Sequence, residues 1–539
     1  MLSGDTLWND EVTAGLTEVT LYGRTVRTYA GAPHSLYHTL ARTAERFGEK
    51  VAIYAEDSNR FTFADVKRYV DNFAAFLHCE HGIGRGDRVG VLLDNGIDFV
   101  TAFYSVNRLG AMIVPLPGKF RKNEILALIQ QADVKLVICQ KEQAGWFADI
   151  PTLTTNSTSC AFGLLETELA GEHTARWAAA LTDYPLPTWE DDAILLFTSG
   201  TTSQSKGVVL TNLNAIHAII SYERTLALTS EDTTIIAVPI YHVTGMIAII
   251  GLFIYLGGSI HVQKRMSGRP FVREIAASEI SFIHASPTVF ALMLEERDRF
   301  PELPSVQKMA CGAAHMPVSR ILALHEWMPQ MQFRTVYGLT ESCSPAFVFP
   351  VDAATSEHLG SSGRPIPGLD VQIRNDSGAE VPEGSSGEIW MRGANIARCY
   401  DKLTTPAMTG DGWLGTGDIG RIDPDGYISI LDRKKDMINR GGEKIWCFDI
   451  EEELRRLPEI ADASLVGVRD AVYGEVPAAA VVLTPGAVFD REAVREQLNL
   501  RLARYQVPVY FRVLEELPTT AGSKIDKRAI RELFAEENG

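Results

Sequence analysis

The stretch LLFTSGTTSQSKGVVLT, residues 195–211, says more about the fold than any other part of the sequence. It begins in an apolar run, continues from Thr198 to Ser205 almost entirely in Ser, Thr and Gly, and reaches Lys206 just before a second apolar run. A loop of this composition can offer backbone N–H groups, hydroxyl groups and one ammonium group to a polyphosphate. The same composition is typical of surface turns, so this stretch alone leaves both interpretations open.

A P-loop kinase is the first alternative for these residues. Gly200 and Lys206 have the spacing of G-x-x-x-x-G-K-[ST], the motif in which glycines surround a phosphate and a hydroxyl binds magnesium. However, Ser205 replaces the second glycine, and Gly207 stands where the hydroxyl belongs. Two of the four fixed positions therefore fail, which argues against a P-loop.

The sequence around the loop changes character along the chain. Up to about residue 430, apolar runs such as VGVLLDN (89–95) and VKLVICQ (134–140) alternate with amphipathic segments, which predicts parallel sheets with helical crossovers. From about residue 360, turn signals such as NDSG and EGSSG predict a small β-rich unit. After LDRKKD (431–436), predicted helices and strands form an α+β unit of about 100 residues, which is large enough to fold alone.

Length and composition limit the classes of protein. A chain of 539 residues predicts two or more domains. The net charge of −17, from 51 basic and 68 acidic residues, argues against nucleic acid or an anionic membrane as a partner. The seven cysteines are scattered and the start lacks a secretory signal, so we expect no disulfide framework, no zinc site and a cytoplasmic location. The oligomeric state is left open.

One apolar segment has nearly the length of a membrane span. Residues 243–260, VTGMIAIIGLFIYLGGSI, carry no charge over eighteen positions. They include four glycines and are flanked by the mixed sequences PIYH and HVQKR. We therefore predict a buried helix that runs into a strand, and no membrane span.

Further motifs follow the loop in a fixed order. They are PIYHVTGM (239–246), VYGLTES (336–342), GEIWMRGANIARCY (387–400), GWLGTGDIG (412–420), DRKKDMINRGGEKI (432–445) and LPTTAGSKIDK (517–527). This order and spacing resemble the adenylate-forming superfamily, which contains acyl- and aryl-CoA synthetases, peptide-synthetase adenylation domains and luciferases. The resemblance extends from about residue 61 to Lys527, and the pattern is most similar to that of acyl-CoA synthetases.

The resemblance implies an α/β fold in two domains. A large domain, residues 1–432, would contain two parallel-rich sheets with helices and a β-barrel-like subdomain at about 345–432. A small mobile α+β domain, residues 433–539, would rotate about a hinge near Lys435 between two half-reactions. The first half-reaction forms an acyl-adenylate from a carboxylic acid and ATP with release of pyrophosphate. The second transfers the acyl group to the thiol of coenzyme A.

The resemblance also assigns roles to individual residues. The residues expected to bind ATP are Thr198, Ser199, Gly200, Thr201, Thr202 and Lys206 at the β- and γ-phosphates, Thr340 at the α-phosphate, Gly312, Ala313, Ala314, Tyr337 and Gly338 around adenine, and Asp418 and Arg433 at the ribose. Glu341 would hold Mg²⁺, and Lys524 would reach the carboxylate and the α-phosphate. Gly441 and Gly442 would leave room for the pantetheine arm of CoA.

These residue types suit the chemistry. A carboxylate that attacks the α-phosphorus brings two anions together, so fixed positive charge from Lys524 and from Mg²⁺ on Glu341 would lower the barrier. The chain departs from the usual pattern where glycine or proline is common, and the residues found there are Ser203, Ser205, Asp432, Cys447 and Ser523. None of these departures removes a charged group that the reaction needs.

The acid is constrained only in class. Peptide-synthetase domains carry an aspartate in the segment that matches PIYHVTGM, and this chain has none there, so an α-amino acid is disfavoured. His242 is expected to border or gate the acyl pocket, with a satisfied core histidine as the alternative. The expected walls are small or apolar and suit an uncharged fatty or aryl tail; they are Tyr241, Met246, Ala285, Ser286, Cys311, Gly312, Leu339 and Cys343.

Two alternatives to a CoA ligase stay open. One is a stand-alone ligase that loads a carrier protein, which would share all of these motifs. The other is a non-catalytic relative that binds nucleotide or an acyl group and regulates. The presence of Lys206, Glu341 and Lys524 argues against the second alternative.

Overall fold

The computed structural model describes residues 1–56, 58–155, 179–198, 205–236, 238–264, 267–519 and 525–535. The chain divides into two compact units. The larger unit contains residues 2–371 and 391–414, and the smaller unit contains residue 1 together with 372–390 and 415–539. The predicted boundary after residue 432 and the predicted hinge near Lys435 describe a rotation of the C-terminal domain. A single structure does not test a rotation, so both stay predictions.

The strands of the described residues are, in chain order, β1 Leu2–Ser3, β2 Leu16–Leu21, β3 Arg24–Tyr29, β4 Val51–Ala55, β5 Arg60–Thr62, β6 Arg88–Leu92, β7 Met112–Pro115, β8 Leu136–Gln140, β9 Thr152–Thr155, β10 Asp192–Thr198, β11 Lys206–Thr211, β12 Thr233–Ile236, β13 Ser259–Val262, β14 Phe282–Ala285, β15 Lys308–Cys311, β16 Gln332–Tyr337, β17 Phe347–Val348, β18 Arg364–Pro365, β19 Leu369–Arg374, β20 Gly387–Gly393, β21 Cys399–Tyr400, β22 Leu414–Ile422, β23 Ile428–Arg433, β24 Ile438–Arg440, β25 Glu443–Ile445, β26 Ile460–Asp470, β27 Gly474–Leu483 and β28 Tyr510–Leu514.

The α-helices of the same residues are α1 Asp10–Thr13, α2 Leu36–Phe47, α3 Phe63–His81, α4 Ile97–Arg108, α5 Lys122–Gln131, α6 Asn212–Leu226, α7 Leu252–Leu256, α8 Gly268–Ala277, α9 Pro287–Leu294, α10 Val318–Trp327, α11 Cys447–Arg455, α12 Arg491–Asn499 and α13 Lys527–Ala535. A π-helix, Thr244–Gly251, precedes α7. Short 3-10 turns lie at Gly4–Thr6, Lys141–Trp146, Thr340–Ser342 and Ala353–Thr355.

Two large sheets form the core of the larger unit. One has the strand order β21-β11-β10-β7-β6-β8-β9, and its strands from β10 to β9 are parallel. The other has the order β18-β17-β16-β15-β14-β12-β13-β4-β5, and its strands from β16 to β4 are parallel. The predicted parallel-rich sheets are therefore present. Most of their strand residues are buried, as parallel strands covered on both faces require.

The parallel register brings three chain segments to one edge of the second sheet. Ala285 at the end of β14 lies opposite Cys311 at the end of β15, and Cys311 lies opposite Thr335 of β16. The segments that leave these strands therefore emerge side by side at their carboxyl ends, where open α/β sheets bind ligands.

The apolar segment 243–260 forms the predicted buried helix followed by a strand. The π-helix and α7 are almost wholly buried, and β13 follows them. Gly245 is required at the start, because a Cβ there would lie 2.8 Å from Ile240 Cα and 2.8 Å from the Pro239 carbonyl oxygen. None of the helices in the described parts of the chain combines the length and apolarity that crossing a bilayer requires.

The smaller unit contains a sheet of strands from the C-terminal part of the chain. Its order is β25-β24-β27-β26, with β28 parallel to β27. The helices α11, α12 and α13 supply apolar residues to two clusters on this sheet, including Ile450, Leu498 and Ile530. The predicted β-rich region contributes another small sheet, whose strands β22 and β23 pair antiparallel in this unit.

Candidate active site

The Ser/Thr/Gly loop is held at both ends by paired strands. β10 and β11 are antiparallel, and Thr198 lies directly opposite Lys206. The Thr198 hydroxyl donates to the Lys206 carbonyl oxygen at 3.5 Å. The loop is therefore closed at its base. Ser199, Gly200, Thr201 and Thr202, predicted phosphate ligands, lie outside the described residues.

Side chains from other segments brace the base of this loop. The Gln131 amide donates to the Ser205 carbonyl oxygen at 2.9 Å. The Asp401 backbone N–H donates to the Gly207 carbonyl oxygen at 2.7 Å, and Arg88 holds the Asp401 carboxylate through two bonds of 2.6 and 3.1 Å. Sequence reasoning did not single out Arg88, Gln131 or Asp401, because their roles depend on contacts between distant segments.

Tyr400 connects two of the predicted catalytic residues. Its hydroxyl donates to Glu341 Oε1 at 2.9 Å, and the ammonium group of Lys206 lies 5.6 Å from the centre of its ring. β21 pairs with β11, so Tyr400 is placed opposite Val208, two residues beyond Lys206. Burial and the Glu341 charge raise the pKa of Tyr400, which keeps the phenol protonated as a donor. Its only signal in the sequence is its place at the end of GEIWMRGANIARCY.

The turn that carries Thr340 and Glu341 is held from both sides. Within it, the Leu339 backbone N–H donates to the Ser342 hydroxyl at 2.9 Å. The buried Asn395 amide donates to the carbonyl oxygens of Ser342 and Pro345 at 3.0 and 2.9 Å, and the Ala397 N–H donates to the Glu341 carbonyl oxygen at 2.8 Å. Asn395 was not predicted as a site residue. It belongs to the same motif as Tyr400.

The residues predicted to surround adenine lie on the neighbouring segments after β15 and β16. Gly312 is tightly packed, because a Cβ there would approach the Val336 carbonyl oxygen to 3.0 Å. Ala313 has a φ of 70° and is exposed, as is Ala314. Tyr337 stacks on Phe347 with ring centres 4.8 Å apart. Gly338 is tightly packed as well, since a Cβ there would lie 3.2 Å from Ser344 Cα. The structure thus brings these residues to one sheet edge.

The predicted walls of the acyl pocket divide by burial. Met246, Ala285, Cys311 and Cys343 are buried, as is the backbone at Gly312, whereas Tyr241, Ser286 and Leu339 are partly exposed. His242 is also partly exposed, and its ring centre lies 4.6 Å from that of Tyr241. Its backbone carbonyl accepts the Met246 N–H at 3.0 Å, so it lies on the turn that starts the π-helix.

A second histidine, which the sequence analysis did not single out, lies beneath the segment predicted to contact adenine. His284 on β14 is fully buried, and a Cβ at Gly312 would be 3.6 Å from its Nε2. Burial lowers its pKa to about 4, so the ring is neutral at pH 7. Its ring packs edge-on against Tyr222, whose hydroxyl is 2.8 Å from the Ser344 hydroxyl oxygen. No motif includes His284, because its environment is created by strand pairing.

The predicted ribose-binding residues face each other in the smaller unit. Asp418 on β22 pairs in register with Arg433 on β23, and Arg433 Nε is 3.1 Å from Asp418 Oδ1. The Asp418 side chain is 3% exposed, whereas that of Arg433 is 43% exposed. A buried carboxylate fixed by an accessible guanidinium is an arrangement that can accept hydroxyl groups.

The segment predicted to carry the hinge and the pantetheine glycines follows Arg433. Lys435 is exposed. Gly441 and Gly442 have φ values of 60° and 98°, a region that favours glycine, and form the turn between β24 and β25. The Gly442 N–H donates to the Asn439 side chain at 3.0 Å. Lys524, the predicted catalytic lysine, lies outside the described residues.

Two parallel-rich sheets, a lysine at the base of a Ser/Thr/Gly loop, a neighbouring carboxylate and an Asp–Arg pair define the class of protein, which is the adenylate-forming enzymes. The sequence profile described as AMP-binding enzyme matches residues 40–401, and the one described as AMP-binding enzyme C-terminal domain matches residues 449–524. The chain belongs to the AMP-binding enzyme family.

Relatives match over nearly their full length. An oxalate–CoA ligase from Arabidopsis thaliana is 29% identical over 513 residues, which are 92% of this chain and 98% of that protein. A feruloyl-CoA synthase from Amycolatopsis sp is 30% identical and covers 88% of this chain and 94% of its own. The structure of o-succinylbenzoate CoA synthetase from Bacillus subtilis with ATP and magnesium ion is 27% identical, with a TM-score of 0.77 over 92% of this chain and 98% of that one.

These findings confirm the predicted superfamily, the α/β fold and the activity of an AMP-forming acid–thiol ligase. The predicted use of ATP, Mg²⁺ and CoA is confirmed by the same comparisons. Glu341 fits a magnesium ion, because it offers a partly exposed carboxylate and oxygen ligands are those that Mg²⁺ prefers. The roles of the individual side chains stay predictions.

Proposed function

We propose that this protein uses ATP to activate a carboxylic acid with an uncharged aliphatic or aromatic tail, and then transfers the acyl group to CoA. The proposed site is built on Lys206, Glu341 and Tyr400. The observation that carries the proposal is the contact of Tyr400 with both of the other residues. It sets an ammonium group and a potential metal ligand at fixed positions beside the base of one loop. A polyphosphate needs such an arrangement, because its charge must be neutralised before a carboxylate can approach.

Each residue has a distinct role in this proposal. Lys206 would bind the β- and γ-phosphates, Thr340 would donate to the α-phosphate, and Glu341 would hold Mg²⁺. Mg²⁺, when bound, withdraws charge from the phosphate oxygens. Asp418 and Arg433 would bind the ribose hydroxyls, and Lys524 would neutralise charge between the acid and the α-phosphate. The chemistry needs no side-chain nucleophile.

The pocket walls support an uncharged acyl tail. None of the eight expected wall residues carries a charge, and the nearby His284 is neutral because burial lowers its pKa to about 4. An unpaired charge buried in such a pocket would cost roughly several kcal/mol of desolvation. The acids in the relatives' names range from oxalate to ferulate, so those names favour no single acid for this chain.

The test is to incubate the protein with ATP, Mg²⁺ and a panel of fatty, aryl and dicarboxylic acids, with and without CoA, and to measure AMP and thioesters by mass spectrometry. We expect AMP and an acyl-CoA for one class of uncharged-tail acids. The Lys206→Met variant should form neither, which controls for contaminating ligases. AMP or a bound acyl-adenylate without acyl-CoA would instead indicate a carrier-protein acceptor. Preference for a dicarboxylic acid would contradict the proposed tail.

We also propose a cytoplasmic location. Its support is the spacing of the seven cysteines, which are scattered along the sequence with no CxxC pair. Free thiols persist in a reducing compartment.

A further inference from the structure

Two of the departures from the superfamily pattern are in contact with each other. Asp432 stands where a glycine is common, and Cys447 stands where a proline is usual. Asp432 Oδ2 accepts the backbone N–H of Cys447 at 2.7 Å, and Asp432 Oδ1 accepts the N–H of its neighbour Arg433 at 2.7 Å. Glycine has no carboxylate and proline has no N–H, so the usual pair of residues could not form the bond to position 447.

The bond lies at the start of a helix. Cys447 is the first residue of α11, and its N-cap residue, Trp446, gives no side-chain hydrogen bond to the helix. The Asp432 carboxylate, 1% exposed, therefore satisfies an N–H that the helix itself cannot, and places negative charge at the positive end of the helix dipole.

A buried lysine balances the charge of this carboxylate. Lys527, the first residue of α13, is 13% exposed and lies 3.0 Å from Glu451 of α11. Burial raises the pKa of Asp432, and the charge of Lys527 opposes that rise. Asp432, α11 and the start of α13 are thus joined by one charged cluster, and Lys527 follows the predicted catalytic Lys524 by three positions.

The hydrogen bond also closes a loop. Residues 433–446 lie between its two partners, and this loop contains Arg433, the predicted hinge Lys435 and the glycines Gly441 and Gly442. Asp432 precedes the hinge and Cys447 follows it. The predicted rotation about Lys435 would move these two residues relative to each other, so the bond would belong to one arrangement of the hinge.

We propose that Asp432 is a positioning residue that holds the hinge loop 433–446 in its present arrangement through the Cys447 N–H, and so sets the balance between the two half-reactions. This inference rests on the proposed function, because it assigns the two half-reactions to two positions of the loop. A hydrogen bond to a charged group changes an equilibrium by about tenfold or more, and we expect an effect of this size.

The decisive variant is Cys447→Pro, with Cys447→Ala as its matched control. Proline removes the N–H, and the backbone is compatible with it, because Trp446 has φ −90° and ψ 117° and because proline is favoured at the first position of a helix. The proline ring takes the place of the N–H hydrogen, so the Asp432 carboxylate must turn away from residue 447. Alanine keeps the N–H and removes only the thiol, which donates to the Asp436 carbonyl oxygen at 3.4 Å, so it measures the contribution of the thiol alone. Asp432→Gly is the second variant, which removes the acceptor and leaves residue 447 unchanged.

Three quantities should be measured for each variant. They are the rate of acid-dependent pyrophosphate exchange, the rate of thioester formation from preformed acyl-adenylate, and the distance distribution between fluorophores attached at Glu302 and Val488. We expect Cys447→Pro and Asp432→Gly to shift the two rates in opposite directions, to change their ratio about tenfold and to alter the distance distribution. Cys447→Ala should change the ratio and the distances much less than Cys447→Pro does, because the thiol is a weak donor.

The outcomes separate the possible failures. Equal loss of both rates in Cys447→Pro and Asp432→Gly would show only a structural contribution and would overturn the proposal. An unchanged ratio in those variants, or the same change in Cys447→Ala, would overturn it as well. If none of the acids tested supports pyrophosphate exchange by the unmodified protein, the proposed function fails. In that case the two rates cannot be compared, and the distance distributions become the test of the role of Asp432. Unchanged distances in Cys447→Pro would overturn that role.

Discussion

Tyr400 contacts Glu341 with its hydroxyl group and Lys206 with its ring. The hydroxyl donates to Glu341 Oε1, and within the described residues this is the hydrogen bond that fixes the carboxylate. The ring faces the ammonium group of Lys206, at a distance where a cation is attracted to the aromatic quadrupole. Removing the hydroxyl and removing the ring should therefore have separable effects.

The Tyr400→Phe variant should weaken magnesium binding. It removes a hydrogen bond to a charged group, worth about 1.5–3 kcal/mol, and keeps the ring beside Lys206. We expect the Mg²⁺ concentration for half-maximal pyrophosphate exchange to rise about tenfold, and the affinity for Mn²⁺ measured by electron paramagnetic resonance to fall in parallel.

Tyr400→Leu is the companion variant, because it also removes the ring. It should reproduce the change in metal affinity and in addition weaken ATP binding measured by calorimetry without metal. An unchanged metal requirement in Tyr400→Phe would show that the hydroxyl does not position Glu341.

At the scale of elements, strand β11 connects most of the predicted phosphate site. It begins at Lys206, its Gly207 carbonyl accepts the Asp401 N–H, and its Val208 pairs with Tyr400. A methyl group at Gly207 would approach Leu195 Cδ1 to 3.0 Å and Asp401 Cβ to 3.3 Å, so this strand has little tolerance for change. The turn between β24 and β25 is different, because a Cβ at Gly442 would meet nothing within 4 Å.

The Gly442→Leu variant should therefore block one half-reaction only. The turn has space for the side chain, which would occupy the path predicted for the pantetheine arm. We expect thioester formation to be abolished and pyrophosphate exchange to stay within about threefold, since strain from a positive φ costs roughly 1–2 kcal/mol at a site outside the adenylation chemistry.

Gly486→Leu is the matched control for that variant. Gly486 also has a positive φ, 84°, and open space around it, but no part of the predicted site includes it. Its substitution carries the same backbone strain and should leave both half-reactions intact. Equal loss of both activities in Gly442→Leu would contradict the two-step use of this turn.

At the scale of the whole molecule, buried histidines make stability depend on pH. His217 and His284 are fully buried, and burial lowers the pKa of each to about 4. An unfolded histidine has a pKa of about 6.5, so between these values the unfolded chain binds more protons than the folded one. The contribution of the neutral histidines to the free energy of unfolding is therefore complete above about pH 6.5. It decreases as the pH is lowered toward 4, by about 3 kcal/mol for each histidine.

The His284→Leu variant should reduce this dependence. Denaturant unfolding measured between pH 7 and pH 4 should give a smaller loss of stability for the variant than for the unmodified protein, by about 3 kcal/mol. Parallel curves would show that His284 is not held neutral by the fold. Comparing slopes cancels the contribution of the acidic side chains, which is common to both proteins.

The sequence predicts the architecture better than the site. The alternating apolar runs and the ordered motifs are enough to predict parallel-rich sheets and the family, because both depend on local pattern. The motifs also predict Glu341 and Lys206 as site residues, and the structure places Tyr400 in contact with both. They do not reveal Tyr400, Asn395 or His284 as functional neighbours, since the contacts of these residues join segments that are far apart in the chain. Such contacts follow from sheet register, which no single motif contains.

The glycine at the start of the π-helix has a practical consequence for anyone who wishes to redirect the enzyme to another acid. A library that randomises residues 241–246 will be dominated by inactive clones if it includes Gly245, because any side chain there would collide with the backbone of Ile240 and Pro239. Tyr241 is partly exposed, whereas Met246 is fully buried and tolerates only residues of similar size and polarity. A library around the predicted pocket should therefore keep Gly245 fixed and vary the residues on either side of it.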